Sequence, residues 1–175
     1  MTANDPFSLA GKRILVTGAS SGIGHQTAIS CASQGATLII TGRNAERLAH
    51  TAGLLAGDGH VSVVADLTQA QDISALAAQA GSIDGVVHAA GISKLVPLRM
   101  VKQAHLEEMF AHNTYAPILL TKELLAKRLI RPHGSIVFIS AVASHIGPLA
   151  SSGYSASKAA PVSYTHLTLP TTPYV

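Results

Sequence analysis

The sequence predicts an α/β protein: a doubly wound parallel sheet in three layers, of the Rossmann type. Three observations lead there. Short apolar runs without in–out alternation recur along the chain, helical patterns separate them, and a glycine-rich turn joins the first run to the first helix. Continuous apolar strands belong to sheets covered on both faces, and regular alternation with helices makes such sheets parallel. The right-handed crossover rule then favours the doubly wound arrangement, whose ligands sit beyond the carboxyl ends of the strands.

The elements follow in order. Lys12 to Thr17 is a buried strand running into the glycine turn, and Gly22 to Gln34 a helix with Ile23, Thr27 and Cys31 on one face. Ala36 to Thr41 is the second strand. Asn44 is a good N-cap for a helix from Ala45 to Ala56, which Gly57-Asp58-Gly59 ends. Val61 to Ala65 is the third strand, Thr68 to Ala80 the third helix, and Ile83 to Ala90 the fourth strand. A long fourth helix is expected from His105 to Arg128, and a fifth strand from Ser135 to Ser140.

Bulk properties narrow the function. The 175 residues fit one domain with a substantial core, and 47% apolar against 12% charged residues exclude a disordered chain. No apolar run approaches the roughly 20 residues that cross a bilayer, and Asp5-Pro6 does not suit a secretory signal. The single cysteine, Cys31, excludes an internal disulfide framework and suits the cytoplasm. A net charge of +3 without basic runs interleaved with aromatics argues against nucleic acid. His105, Glu108 and His112 can share a helix face, but a solvated face is the simpler account, and no metal is expected.

Gly18-Ala19-Ser20-Ser21-Gly22-Ile23-Gly24 spaces its glycines as G-x-x-x-G-x-G between a strand and a helix. Gly18 permits the sharp exit, Gly22 lets a pyrophosphate approach the backbone, and Gly24 lets the helix pack closely on the sheet. Amides at the helix start face the anion, which the helix dipole also favours. His25-Gln26 after Gly24 excludes a P-loop. The spacing therefore points to a dinucleotide cofactor. After the second strand stands Thr41-Gly42-Arg43, with no acidic residue for a ribose diol. Arg43 can pair with a 2′-phosphate, which favours NADP(H) over NAD(H).

Tyr154 and Lys158 lie four residues apart in Gly153-Tyr154-Ser155-Ala156-Ser157-Lys158, on one face of a helix. An ammonium beside a phenol favours the phenolate, which equips Tyr154 for general acid–base work. With these motifs the chain resembles the short-chain dehydrogenase/reductase family from Leu9 to about Ala160. The matching residues are the T-G-x-x-x-G-I-G turn (Thr17 to Gly24, including Ser20, Ser21 and Ile23), Asp66-Leu67, Ala90-Gly91, Asn113, Ser140 and Y-x-x-x-K.

The resemblance implies hydride transfer between a nicotinamide cofactor and a carbonyl or secondary alcohol, a 3-oxoacyl thioester among the candidates. Asp66 would contact the adenine, Ala89-Ala90-Gly91 would lie along the cofactor, and Asn113 would help hold a proton-relay water. Tyr154, Lys158 and Ser140 would do the chemistry, and the intact protein would be a homodimer or homotetramer. Two departures stand out. The family serine usually precedes the tyrosine by thirteen residues, where Ala141 stands; one extra residue in Ala141 to Ile146 restores Ser140, with Ser144 second. His88-Ala89 replaces the common Asn-Asn. The serine offset leaves open a cofactor-binding regulator without catalysis.

From Pro161 the character changes, and Pro161, Pro170, Pro173 and many β-branched residues are poor helix material. Val162 to Thr171 can be back-translated as GTC TCT TAT ACA CAT CTG ACG CTG CCG ACG, which matches the string of a transposon-end sequencing adapter. Residues 161–175 are thus expected to be a non-native tail, and residues 1–160 an incomplete dinucleotide-binding domain lacking its last strands and substrate loop. Family members run to about 250 residues. An uncovered sheet edge and unfinished helix predict poor stability and no activity for this chain, so the function belongs to the intact parent.

Overall fold

The computed structural model describes residues 5–164. The described residues divide into two compact units, 5–90 with Leu119–Ile139, and Gly91–Ile118 with 140–164.

The first unit carries the whole sheet: β1 (Arg13–Thr17), β2 (Thr37–Gly42), β3 (Val61–Val64), β4 (Ile83–His88) and β5 (Ile130–Phe138). Their order is β3-β2-β1-β4-β5 and every pairing is parallel, so the doubly wound fold expected from sequence is present. Side chains along a strand alternate between faces. Ile14, Val16, Leu38 and Ile40 join one cluster with Ala28, Ala32 and Leu48. Leu15, Ile39 and Val86, on the alternate positions, are buried as completely. Each such side chain contributes about 1.5–3 kcal/mol of burial, and two covered faces explain why the strands do not alternate in polarity.

Helix α1 (Gly22–Ser33) packs on its small residues. Its buried residues are Gly24, Ala28 and Ala32, one position on from Ile23, Thr27 and Cys31, and Ile23 is 60% exposed. Small residues let the helix lie close to the sheet, so they form the packed side. Helix α2 (Ala45–Gly53) is capped as expected, the Arg47 amide donating to Asn44 Oδ1 at 2.8 Å. It stops at Gly53, short of Ala56. The Leu54 amide closes the last turn onto the Thr51 carbonyl at 3.0 Å, and glycine is the weakest ordinary helix former. Helix α3 (Ala70–Ala80) buries Ile73, Leu76, Ala77 and Ala80.

β4 ends at His88 rather than Ala90, because the Ala89 and Ala90 amides turn to the Thr17 hydroxyl, each at 3.1 Å. β5 begins five residues before Ser135 and ends two before Ser140. A register shift between Ile83 and Gly85 absorbs the extra length, with His133 at φ 63°.

The long fourth helix expected from His105 is instead α4 (Gln103–Phe110), a π-helical turn (Ala111–Tyr115) and α5 (Ala116–Ala126). Arg128, at φ 54°, lies beyond its end. The second unit also holds α6 (Ala143–Ile146) and α7 (Ser152–Tyr164). Helix α7 continues through Pro161, against the helix break expected there. Proline has no amide to donate to the carbonyl four residues back, and that carbonyl, of Ser157, accepts the Thr114 hydroxyl at 2.9 Å instead. The rest of the expected tail, from residue 165, lies outside the described residues. Among the described residues no helix is long and apolar enough to cross a membrane.

Candidate active site

In the first unit the glycine turn joins β1 to α1. Gly18 has φ +67°, and a Cβ on it would stand 2.7 Å from the Ala90 backbone. A Cβ on Gly24 would meet the Gly18 carbonyl oxygen at 2.4 Å. Gly22 differs: at φ +56° it has nothing within 4 Å of where a Cβ would stand. Two glycines thus permit close backbone packing and the third leaves open space over the helix start, a cradle that suits a pyrophosphate. Ser21 is the N-cap residue, yet its side chain makes no capping bond. Ser20 lies over Gly42 at the end of β2, where a Cβ would meet its hydroxyl oxygen at 2.9 Å.

The same unit holds further residues expected at the cofactor, while Gly91, Tyr154 and Lys158 belong to the second. Thr17 Oγ1 ties the turn to Ala89 and Ala90. Asp66 Oδ1 accepts the Thr68 amide and hydroxyl at 3.0 and 2.8 Å, which fixes the loop after β3, and Leu67 is buried. Arg43 is exposed directly after β2.

His88 ends β4. Its ring is buried, stacks on Phe138 at a centroid distance of 4.8 Å, and shares a 2.9 Å hydrogen bond between Nε2 and Thr121 Oγ1. Nδ1 has no partner. Burial pushes its pKa down to about 3, because the charged ring cannot be solvated there. The native ring therefore stays neutral between about 3 and the ordinary histidine value of about 6.5, while the unfolded chain takes up a proton. The stability contributed is complete above the unfolded value and is lost as pH falls through that window. Urea midpoints measured from pH 7 to pH 4 should fall, and His88→Asn should flatten the fall; equal slopes in both proteins would contradict this.

The second unit brings together Gly91, Asn113, Ser140, Tyr154 and Lys158. Asn113, 2% exposed on the π-helical turn, bonds through both ends of its amide. Its Nδ2 donates to the Ile92 carbonyl and to Ser157 Oγ, both at 2.9 Å, and its Oδ1 accepts the Ile92 amide at 2.8 Å. Ser157 Oγ in turn donates to the Tyr154 carbonyl at 2.8 Å. Gly91 lies between two functional groups: a Cβ there would stand 2.9 Å from Asn113 Oδ1 and 3.1 Å from Lys158 Nζ. Lys158 is 7% exposed, and burial holds its pKa below the usual lysine range. Tyr154 is half-buried one turn earlier on α7.

Ser140 lies past β5, its hydroxyl donating to the Lys158 carbonyl at 3.0 Å. Ser144, on α6, is 3.4 Å from Ser140 Oγ and donates to the Ala141 carbonyl at 2.6 Å. Of the histidines weighed for a metal, His105 Nδ1 accepts the Lys102 amide at 3.2 Å, while Glu108 pairs with Lys94 at 2.5 Å. Among the described residues no three His, Cys, Asp or Glu side chains could hold an ion together.

Ser157, Thr114 and Thr121 were not singled out in the sequence. Ser157 alone carried a signal there, standing three residues after Tyr154 on the same helix.

A parallel sheet in this order, a glycine cradle after β1 and a Y-x-x-x-K helix define a class of nicotinamide-dependent oxidoreductases. The chain belongs to the short-chain dehydrogenase/reductase family, the short chain dehydrogenase family model matching residues 12–169. It is 34% identical over 164 residues to the ketoacyl reductase HetN of Nostoc sp., covering 90% of this chain and 57% of that protein. It is 32% identical over 167 residues to the gluconate 5-dehydrogenase of Gluconobacter oxydans, covering 91% and 65%. Among solved structures, a glucose/ribitol dehydrogenase of the family from Brucella melitensis superposes with a TM-score of 0.87 at 28% identity, over 92% of this chain and 69% of that one. The chain thus spans less than two thirds of the length of these two curated relatives.

Proposed function

We propose that the whole protein moves a hydride between NADP(H) and a ketone or secondary alcohol, with Tyr154 handling the proton. The observation that carries this is the bonding of α7: Asn113, Ser157 and Thr114 fix the turn that bears Tyr154 and Lys158. The bound cofactor supplies the hydride. Tyr154 gives its hydroxyl proton to the carbonyl oxygen as that oxygen gains charge, and takes it back in the oxidative direction. Lys158, one turn further along α7, supports the phenolate electrostatically as an ammonium. Ser140 is the hydrogen-bond donor to the substrate oxygen, released from the Lys158 carbonyl when substrate binds. Asn113 positions the helix and the loop after β4. Residues Thr17, Gly18, Ser20, Ser21, Gly22, Ile23 and Gly24 hold the pyrophosphate, while Asp66-Leu67 and Ala89-Ala90-Gly91 line the rest of the cofactor.

The names of the relatives put ketoacyl compounds and a sugar acid, gluconate, among the substrate classes. The intact protein is proposed to act as a homodimer or homotetramer, in the cytoplasm. NADP(H) is favoured because Arg43 is exposed where an acidic residue would otherwise meet the ribose. Arg43→Ala should weaken NADPH binding about tenfold and leave NADH unchanged, as loss of one charge-assisted contact implies. Titrating each cofactor checks it; an unaltered NADPH/NADH ratio would remove the preference. A second reading, binding without catalysis, draws on one observation, that Ser140 is bonded to the helix backbone. Mixing the protein with NADPH and a ketone panel separates the two, since a regulator binds the cofactor and consumes none.

A further inference from the structure

The geometry points to Thr51 as a positioning residue for dinucleotide binding, acting through Ala19 of the phosphate turn and resting on the dinucleotide site proposed above. Thr51 sits on α2, outside every motif of the sequence, and is fully buried. Its hydroxyl oxygen has three partners: the Arg47 carbonyl at 3.1 Å, the Ala19 carbonyl at 2.9 Å and His25 Nδ1 at 2.8 Å. A helical threonine can donate to the carbonyl four residues back, here that of Arg47, but the Ala19 carbonyl is the nearer acceptor. The other two contacts reach across 32 and 26 residues to either side of the glycine turn.

The donors can be assigned by counting protons. The hydroxyl has one, and both carbonyls within reach can only accept it. The bond to His25 therefore runs the other way, from Nδ1–H to the hydroxyl oxygen, which fixes the tautomer of that ring. A chain results: the imidazole donates to the hydroxyl, and the hydroxyl donates to the Ala19 carbonyl. Ala19 is held on its other side too, its amide donating to the Thr41 carbonyl at 3.0 Å.

Two consequences follow for an anion at this turn. Ala19 is pinned from β2 and from α2, so the turn is set before a ligand arrives and little ordering remains to be done on binding. The carbonyl that accepts from Thr51 also belongs to the peptide whose N–H is that of Ser20. Hydrogen bonds in series polarise one another, so the accepted bond makes the Ser20 amide a stronger donor.

The test uses the whole protein and three probes: NADPH, ADP and 2′-AMP, the last without a pyrophosphate. Thr51→Val should weaken NADPH and ADP by about fivefold to tenfold, as expected for one hydrogen bond, and leave 2′-AMP within about twofold. Thr51→Ser, which keeps the hydroxyl, should restore both. Should Thr51→Val fail to fold, His25→Phe, which removes the donor to the hydroxyl, should weaken ADP selectively in its place. Equal ADP affinity in parent and variant would overturn the role of Thr51 while the dinucleotide site stands, as would a loss shared by all three probes. A parent that binds neither NADPH nor ADP would overturn both.

Discussion

Replacing Tyr154 with phenylalanine in the whole protein should lower turnover by about a hundredfold to ten-thousandfold, the usual worth of a positioned acid or base, and leave the NADPH dissociation constant within about twofold. The substitution is clean because α7 is held by backbone groups of Tyr154, not by its ring: Ser157 donates to the Tyr154 carbonyl, which phenylalanine keeps. Asn113 and Thr114 hold Ser157 in place from the π-helical turn. The lattice therefore survives while the transferable proton is lost. Single-turnover rates with NADPH and a ketone, beside an independent cofactor titration, read the two effects separately. Retained turnover would take the proton from Tyr154 and give it to another group.

Gly24→Ala should be among the most damaging substitutions in the glycine turn, costing about 1–3 kcal/mol from overpacking alone. The added methyl would stand 2.4 Å from the Gly18 carbonyl oxygen and 2.8 Å from that of Thr17. Both are backbone atoms, with no flexible end to move aside. Gly18→Ala adds a left-handed backbone, φ +67°, to a 2.7 Å contact with Ala90 and should cost a similar amount. Gly22→Ala meets no atom within 4 Å and carries only the strain of φ +56°, about 1 kcal/mol. It should therefore unfold later in urea than the other two, yet bind NADPH poorly because its methyl occupies the cradle. Equal denaturation midpoints for Gly22→Ala and Gly24→Ala would show that close packing at Gly24 does not limit stability.

The central strands β1 and β2 were legible because each is a continuous apolar run closed by a turn residue, and burial on both faces demands that pattern. Asn44 was legible because a cap is a local device. The buried side of α1 was not: the spacing puts Ile23, Thr27 and Cys31 on one face without saying that Gly24, Ala28 and Ala32 are the buried ones. The π-helical turn was hidden because Ala111 to Tyr115 keeps a helical composition, and only the tertiary bonds of Asn113 and Thr114 show what the extra residue positions. Pro161 misled for a similar reason. Its effect on a helix is a local rule, while the compensating bond comes from Thr114, 43 residues from Ser157.

Tyr154, Lys158 and the glycines could be found from spacing, since one helical turn and one strand–helix turn fix their geometry. Thr51 and Ser157 could not, because their partners lie elsewhere in the chain.

The most direct measurement is the absorbance of NADPH at saturating whole protein and a panel of ketones, 3-oxoacyl thioesters and keto-sugar acids included, with product alcohol counted beside it. One alcohol formed for each NADPH oxidised is the expected result. Cofactor that binds tightly and stays reduced with every carbonyl offered would contradict the hydride-transfer account.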